Sequence, residues 1–138
     1  MADLPLVLLV DDDEAARYLH QRLLRPYLAS IELATAENGQ EALHQLLARP
    51  ADASPALVLL DLNMPFMGGL AFLEVYSHWP PERQQRTAVV VLSSSVMATE
   101  RQRTQELGAG FEAKPLTAPV VARLLLQHLG VVLPAAQA

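Results

Sequence analysis

Five short apolar runs, separated by longer segments with helical spacing, constrain the fold of this 138-residue chain more than any other feature. Residues 6–11 (LVLLVD), 56–61 (ALVLLD) and 88–93 (AVVVLS) are nearly continuous in Val, Leu and Ala, as expected for strands of a parallel sheet covered on both faces. Residues 31–35 (IELAT) and 110–113 (GFEA) are more mixed, as less buried strands would be. Between the runs, Leu19, Leu23 and Tyr27 form one helical stripe, which Pro26 ends or bends. A second helix opens at NGQEAL, with Asn38 as its cap and Glu41 placed to close a capping box. Leu70, Leu73 and Tyr76 mark a third, after a Gly-Gly pair. The fourth, ATERQRTQEL, has few apolar residues and is expected to be a marginal helix held by packing. The fifth lies in LTAPVVARLLLQHLG, with Thr117 as N-cap, Pro119 in the first turn and Gly130 at the exit. Its inward face is Val120, Val121, Leu124, Leu125 and Leu129, leaving Leu126 outside, either as an ordinary exposed leucine or as a contact for a partner or a second copy. Strand and helix alternating five times predict an α/β fold: a doubly wound five-stranded parallel sheet with five helices and right-handed crossovers. A single domain is expected over 1–138, with its core at about 5–129 and a loosely ordered tail at 130–138.

Charge and composition narrow the function. With 10 Lys and Arg against 15 Asp and Glu, the formal net charge is −5, which argues against a phosphate-backbone surface and so against nucleic acid. There is no Cys, hence no disulfide framework and no thiolate site, which fits a reducing cytoplasm. The N-terminal MADLPLVLLVDDD has no basic region and too short an apolar run for a signal peptide or a membrane span. The four histidines, His20, His44, His78 and His128, show no metal spacing and are expected to be solvated or packed.

In a doubly wound sheet, ligands gather at the carboxyl ends of the strands. There the sequence places Asp11 and Asp12, Asp61, Ser93 and Lys114. Three carboxylates at one edge raise one another's pKa unless a cation neutralises them. A hard divalent ion suits an all-oxygen donor set, and Mg²⁺ usually takes one or two carboxylates and completes its shell with water and phosphate oxygens. With a lysine nearby, such a site points to phosphoryl chemistry. Taken singly, each residue has a plain explanation: a capped turn for the DDD run, a turn for Asp61 and Asn63, a cap for Ser93, an exposed loop for Lys114.

Together, LVLLVDDD, LVLLDLNMPFMGGLAFL, VVVLSSS and GAGFEAKPLT resemble the successive motifs of the receiver domain of two-component response regulators, over roughly residues 5–129. The resemblance implies a flavodoxin-like sheet of strand order 2-1-3-4-5. It makes Asp61 the phosphoacceptor, a carboxylate nucleophile forming an acyl phosphate. Mg²⁺ would be held by Asp12, Asp61 and the backbone carbonyl of Asn63, with Asp11 acting through a metal-bound water. Lys114 would meet the incoming phosphoryl group and Ser93 would hydrogen-bond to it once attached. Phe111 would be the aromatic residue that moves as Ser93 shifts. Asp13 would cap the first helix and take no part in the site.

The implied partner is a histidine kinase or histidine phosphotransfer protein, and the implied role is a signalling phosphoacceptor rather than an enzyme. Ending soon after the fifth helix, the chain reads as a stand-alone receiver of the chemotaxis-regulator type, able to dimerise through its fourth and fifth helices. Glu112 departs from the family's apolar strand residue and predicts a partly exposed fifth strand. Ser94 stands where Ala is commoner, and Asn63 and Ser95 flank the site at positions that tune dephosphorylation. Two other readings are weaker. A haloacid dehalogenase-type phosphohydrolase would use Asp11 and Asp13 as an Asp-x-Asp pair but leaves DLNMPFMGG unexplained, and a phosphorylation-independent interaction module would have no use for a full set of site residues.

Overall fold

The fold is built outward from a strand that has no exposed face. In a computed structural model that describes residues 4–50, 52–62, 64, 66–94 and 97–133, Leu6–Val10 (β1) is buried at every position. Ala56–Asp61 (β3) is likewise buried throughout, and Thr87–Ser93 (β4) nearly so. Glu32–Ala36 (β2) and Gly110–Ala113 (β5) are partly exposed. The five strands pair in parallel in the order β2-β1-β3-β4-β5, so the three continuous apolar runs are central and the two mixed runs form the edges. The anticipated sheet is the observed one, including its partly exposed fifth strand.

Alternation along the strands divides the core. Leu6, Leu8, Val10, Val58, Leu60 and Val91 face a layer made by Gly39–Leu47 (α2), Gly69–Tyr76 (α3) and Ala98–Glu106 (α5), where Phe72 and Leu73 are fully buried. Val7, Leu9, Leu57, Leu59, Val90 and Leu92 face Glu14–Leu24 (α1) and Ala118–Leu129 (α6) on the other side. A continuous apolar run is therefore two period-2 stripes, each with its own helical cover.

Local signals set some of the helix ends. The Asp13 carboxylate accepts from Ala15 N at 3.0 Å and starts α1, which gives way to a 3-10 turn, Arg25–Tyr27, at Pro26. The Asn38 side chain accepts from Glu41 N at 2.9 Å, but among the described residues no bond returns from the Glu41 side chain, so half of the capping box forms. Thr117 stands at the N-cap of α6 without a side-chain cap bond. Gly130 ends that helix at φ 67°, where Val131 N–H reaches back to the Leu125 carbonyl at 3.1 Å.

Two details differ from the sequence reading. The buried line of α1 is Ala16, His20 and Leu24, whereas Leu19 is exposed and Leu23 only half-buried. Tyr27 is buried, but from the turn beyond the helix. The helix is rotated by one position because Ala16 and His20 fit against the sheet where periodicity had favoured the leucines. A sixth helix, Pro81–Gln85 (α4), was not anticipated; it is short, starts on a Pro at its first position and buries none of its residues, so it leaves no periodic signature. It is tied to α3 by Gln84, whose Nε2 donates to the Tyr76 carbonyl at 2.9 Å and whose carbonyl lies 3.4 Å from the Tyr76 hydroxyl, while that hydroxyl donates to the Thr87 carbonyl of β4 at 2.8 Å.

The polar helix of the sequence reading is α5, with Thr104 its one buried residue and an ion pair from Arg103 to Glu74 of α3 holding it in place. On α6, Val121, Leu124 and Leu125 are buried and Leu126 is exposed, as expected. Among the described residues no helix is long and apolar enough to cross a membrane.

Candidate functional site

Parallel strands deliver their C-terminal residues to one edge, and here that edge is acidic. Asp11 and Asp12 follow β1, Asp61 ends β3, Ser93 ends β4 and Lys114 follows β5. Carboxylate oxygens of Asp11, Asp12 and Asp61 all lie within 4.8 Å of one another. Asp11 and Asp61 are buried, at 3% and 8% exposure, while Asp12 is open to solvent. Lys114 Nζ reaches into the group, 2.7 Å from Asp11 Oδ2 and 3.4 Å from Asp61 Oδ1.

The charges are not balanced. Burial, reinforced by the neighbouring Asp11 carboxylate and more weakly by Asp12, pushes the Asp61 carboxyl up from its ordinary value despite the pull of Lys114. Burial works against the Lys114 charge, but its contacts with Asp11 and then Asp61 outweigh that and hold the ammonium above its usual pKa. One cation facing three acids leaves a surplus of negative charge. A solvent-accessible set of oxygen donors with that surplus suits a hard divalent cation.

The backbone fixes the acids in place. Asp11 N–H donates to the Ala36 carbonyl at 3.0 Å, Asp13 N–H donates to Asp11 Oδ1 at 2.9 Å, and Arg17 Nη1 donates to the Asp11 carbonyl at 2.6 Å. Lys114 N–H donates to the Ser93 carbonyl at 2.9 Å, which ties the exits of β4 and β5 together. Asp61 pairs in register with Leu92, one residue before Ser93. Val91 pairs with Phe111, so Phe111 stands two residues behind Ser93 on the same face of the sheet. Phe111 is half-buried, with the Arg101 guanidinium 5.4 Å from its ring centroid. Asn63 and Ser95 lie outside the described residues.

Sequence reasoning placed Asp11, Asp12, Asp61, Ser93 and Lys114 at this edge, and the structure brings them together. Asp13 stands apart from the cluster as the cap of α1, which removes the Asp-x-Asp pairing that a dehalogenase-type reading requires. Arg17 and His20 were missed as neighbours of the site; four-residue spacing through Ala16, His20 and Leu24 was the available signal for the second.

Gly69 was noted only as part of a pair. A Cβ there would lie 2.9 Å from the Asp61 carbonyl oxygen and 2.9 Å from Leu62 Cα, both backbone atoms that cannot swing aside. Gly69→Ala is therefore expected to displace the start of α3 from the end of β3 and to lower stability by about 1–3 kcal/mol. Urea denaturation measures this, and an unchanged midpoint would contradict the close approach.

Comparison with known proteins agrees with the geometry. The response regulator receiver domain model matches residues 7–125, and the chain belongs to that family. The sensor histidine kinase GacS of Pseudomonas protegens is 31% identical over 131 residues, which cover 94% of this chain and 14% of the kinase, so the chain spans a small part of that relative. The two-component response regulator ARR22 of Arabidopsis thaliana is 33% identical over 114 residues, 80% of this chain and 74% of ARR22. Among solved structures, the chemotaxis protein CheY4 of Vibrio cholerae aligns with a TM-score of 0.74 at 25% identity, covering 91% of this chain and 99% of CheY4.

Proposed function

We propose that the chain accepts a phosphoryl group on Asp61 from a phosphohistidine of a histidine kinase or phosphotransfer protein, in a Mg²⁺-dependent reaction. The observation that carries this reading is the buried Asp61 carboxylate held 3.4 Å from Lys114 beside two further acids. Asp12 and Asp61, with the Asn63 carbonyl, would hold the metal, and Asp11 would support it through water. Bound there, Mg²⁺ would supply the positive charge that phosphoryl transfer needs more than acid or base catalysis.

An Asp61 oxygen forms the new bond to phosphorus as the bond from phosphorus to the histidine nitrogen breaks. The electron pair leaves with the imidazole, which takes a proton from solvent. Lys114 faces the transferred oxygens. The Ser93 hydroxyl donates to one of them afterwards, and its shift gives Phe111, two residues behind on the same face, room to move. That rearrangement switches partner binding or precedes relay of the phosphoryl group. The same site self-phosphorylates from small donors and later loses the group to water. Exposed Leu126 on α6 supports contact with a partner or a second copy across α5 and α6. A cysteine-free chain suits the reducing cytoplasm, where such kinases present their phosphohistidine.

Incubation with acetyl phosphate and Mg²⁺ is expected to add one phosphoryl group, mapped by mass spectrometry to Asp61, and EDTA is expected to prevent it. Wild-type protein that stays unlabelled under these conditions would reject the reading in favour of a phosphorylation-independent interaction module.

A further inference from the structure

The loop that carries Lys114 is held at both ends. On one side Lys114 N–H donates to the Ser93 carbonyl at 2.9 Å. On the other, Pro115 has no N–H, so the next donor is Leu116, and its amide points at His20 Nε2 of α1, 3.4 Å away in a buried setting. The Leu116 side chain is itself buried against the α1 and α6 layer. His20 is 2% exposed, in the line of α1 that faces the sheet. An aliphatic residue would be ordinary at such a position, and here an imidazole stands there with its Nε2 facing a backbone amide.

We infer that His20 is a positioning residue for Lys114: its unprotonated Nε2 accepts from Leu116 N–H and fixes the segment that aims the ammonium between Asp11 and Asp61. This rests on the phosphoacceptor reading for its functional consequence, while the hydrogen bond stands on geometry. The acceptor role needs a neutral ring with its proton on Nδ1. Burial, together with the facing Lys114 charge, lowers the imidazole pKa against the opposing pull of Asp11, which keeps the ring neutral at neutral pH. One helix thus serves both halves of the site, since Arg17 holds the Asp11 carbonyl one turn earlier.

Two measurements test this. In ¹⁵N-labelled wild-type protein at neutral pH, the His20 ring is expected to show the Nδ1–H tautomer, with Nε2 bare. In labelling by acetyl phosphate and Mg²⁺, His20→Leu, which leaves the Leu116 amide without an acceptor, is expected to slow the rate roughly tenfold. His20→Gln, whose side-chain carbonyl can accept the same bond, is expected to recover most of that rate. A wild-type Nε2 that carries the proton, a folded His20→Leu protein that labels at the wild-type rate, or a folded His20→Gln protein as slow as the Leu variant would each overturn the inference. If wild-type protein itself takes no label, the phosphoacceptor reading fails, and the tautomer still decides the hydrogen bond.

Discussion

Asp61→Asn is expected to take no phosphoryl label and, in the metal-free protein, to be more stable than wild type at neutral pH. Loss of labelling follows from loss of the nucleophile, since the amide oxygen that remains is a poor one and Lys114 alone creates no new bond. The gain in stability follows from the direction of the Asp61 pKa. Burial first, then the adjacent Asp11 charge, raises it in the folded protein, and Lys114 does not fully compensate.

A carboxyl group whose folded pKa lies above its unfolded value of about 3.8 contributes stability in full below that value. The contribution is lost as pH rises through the folded pKa, so at neutral pH the ionised Asp61 is a net cost. Asparagine keeps the shape and never ionises. A gain in stability is therefore expected at pH 7, and it should fade as pH falls through the folded pKa of Asp61. Urea denaturation at a series of pH values reads this directly. An Asn variant that is less stable than wild type at pH 7 would mean that Lys114 already over-compensates the site, and one that still labels would move the nucleophile elsewhere.

Lys114→Met is expected to act in the opposite direction. Lys114 is the one cation within 4 Å of a carboxylate oxygen of the acidic group among the described residues, and its ammonium lies 2.7 Å from the buried Asp11 Oδ2. Removing one partner of a buried pair leaves the other charge uncompensated, at a cost of roughly 3 kcal/mol. Partial access to solvent through Asp12 brings the expected loss nearer to about 2 kcal/mol.

The sign with pH can be worked out. The folded Lys114 pKa lies above its unfolded value, so its contribution is complete below about 10.5 and disappears only in stronger alkali. From neutral pH into mild alkali the gap between wild type and variant should therefore be flat. It should narrow in acid as Asp61 takes up its proton and the need for a counter-ion falls. Added Mg²⁺ should restore part of the lost stability, because a bound divalent ion supplies the missing charge. The labelling rate should fall roughly 10²-fold, the usual scale for losing one preorganised charge opposite a transferring group. Unchanged stability together with an unchanged rate would show that the lysine contact matters to neither folding nor chemistry.

Period and spacing made the sheet legible. Runs such as LVLLVD and ALVLLD are too short and too continuous to be amphipathic helices, and five alternations with helical segments admit few topologies. Once the strands are parallel, their carboxyl ends share an edge, so Asp11, Asp12, Asp61, Ser93 and Lys114 are brought near one another although more than a hundred residues separate the first from the last. Caps were legible where a side chain meets its own helix, as at Asp13 and Asn38. Helix α4 was not, because five residues without a buried face carry no period.

What the residues alone determined, then, was the layered parallel fold, its covered central strands and the identity of the acidic edge, because these depend on hydrophobic period and chain order. Which acid is buried and which is open, that Lys114 lies closer to Asp11 than to Asp61, that α1 turns His20 rather than Leu19 to the interior, and that Gly69 lies against the Asp61 carbonyl were decided only by the tertiary structure. Each depends on distances of a few ångströms between elements remote in sequence. Packing of whole layers sets such distances, and no local pattern along the chain encodes them.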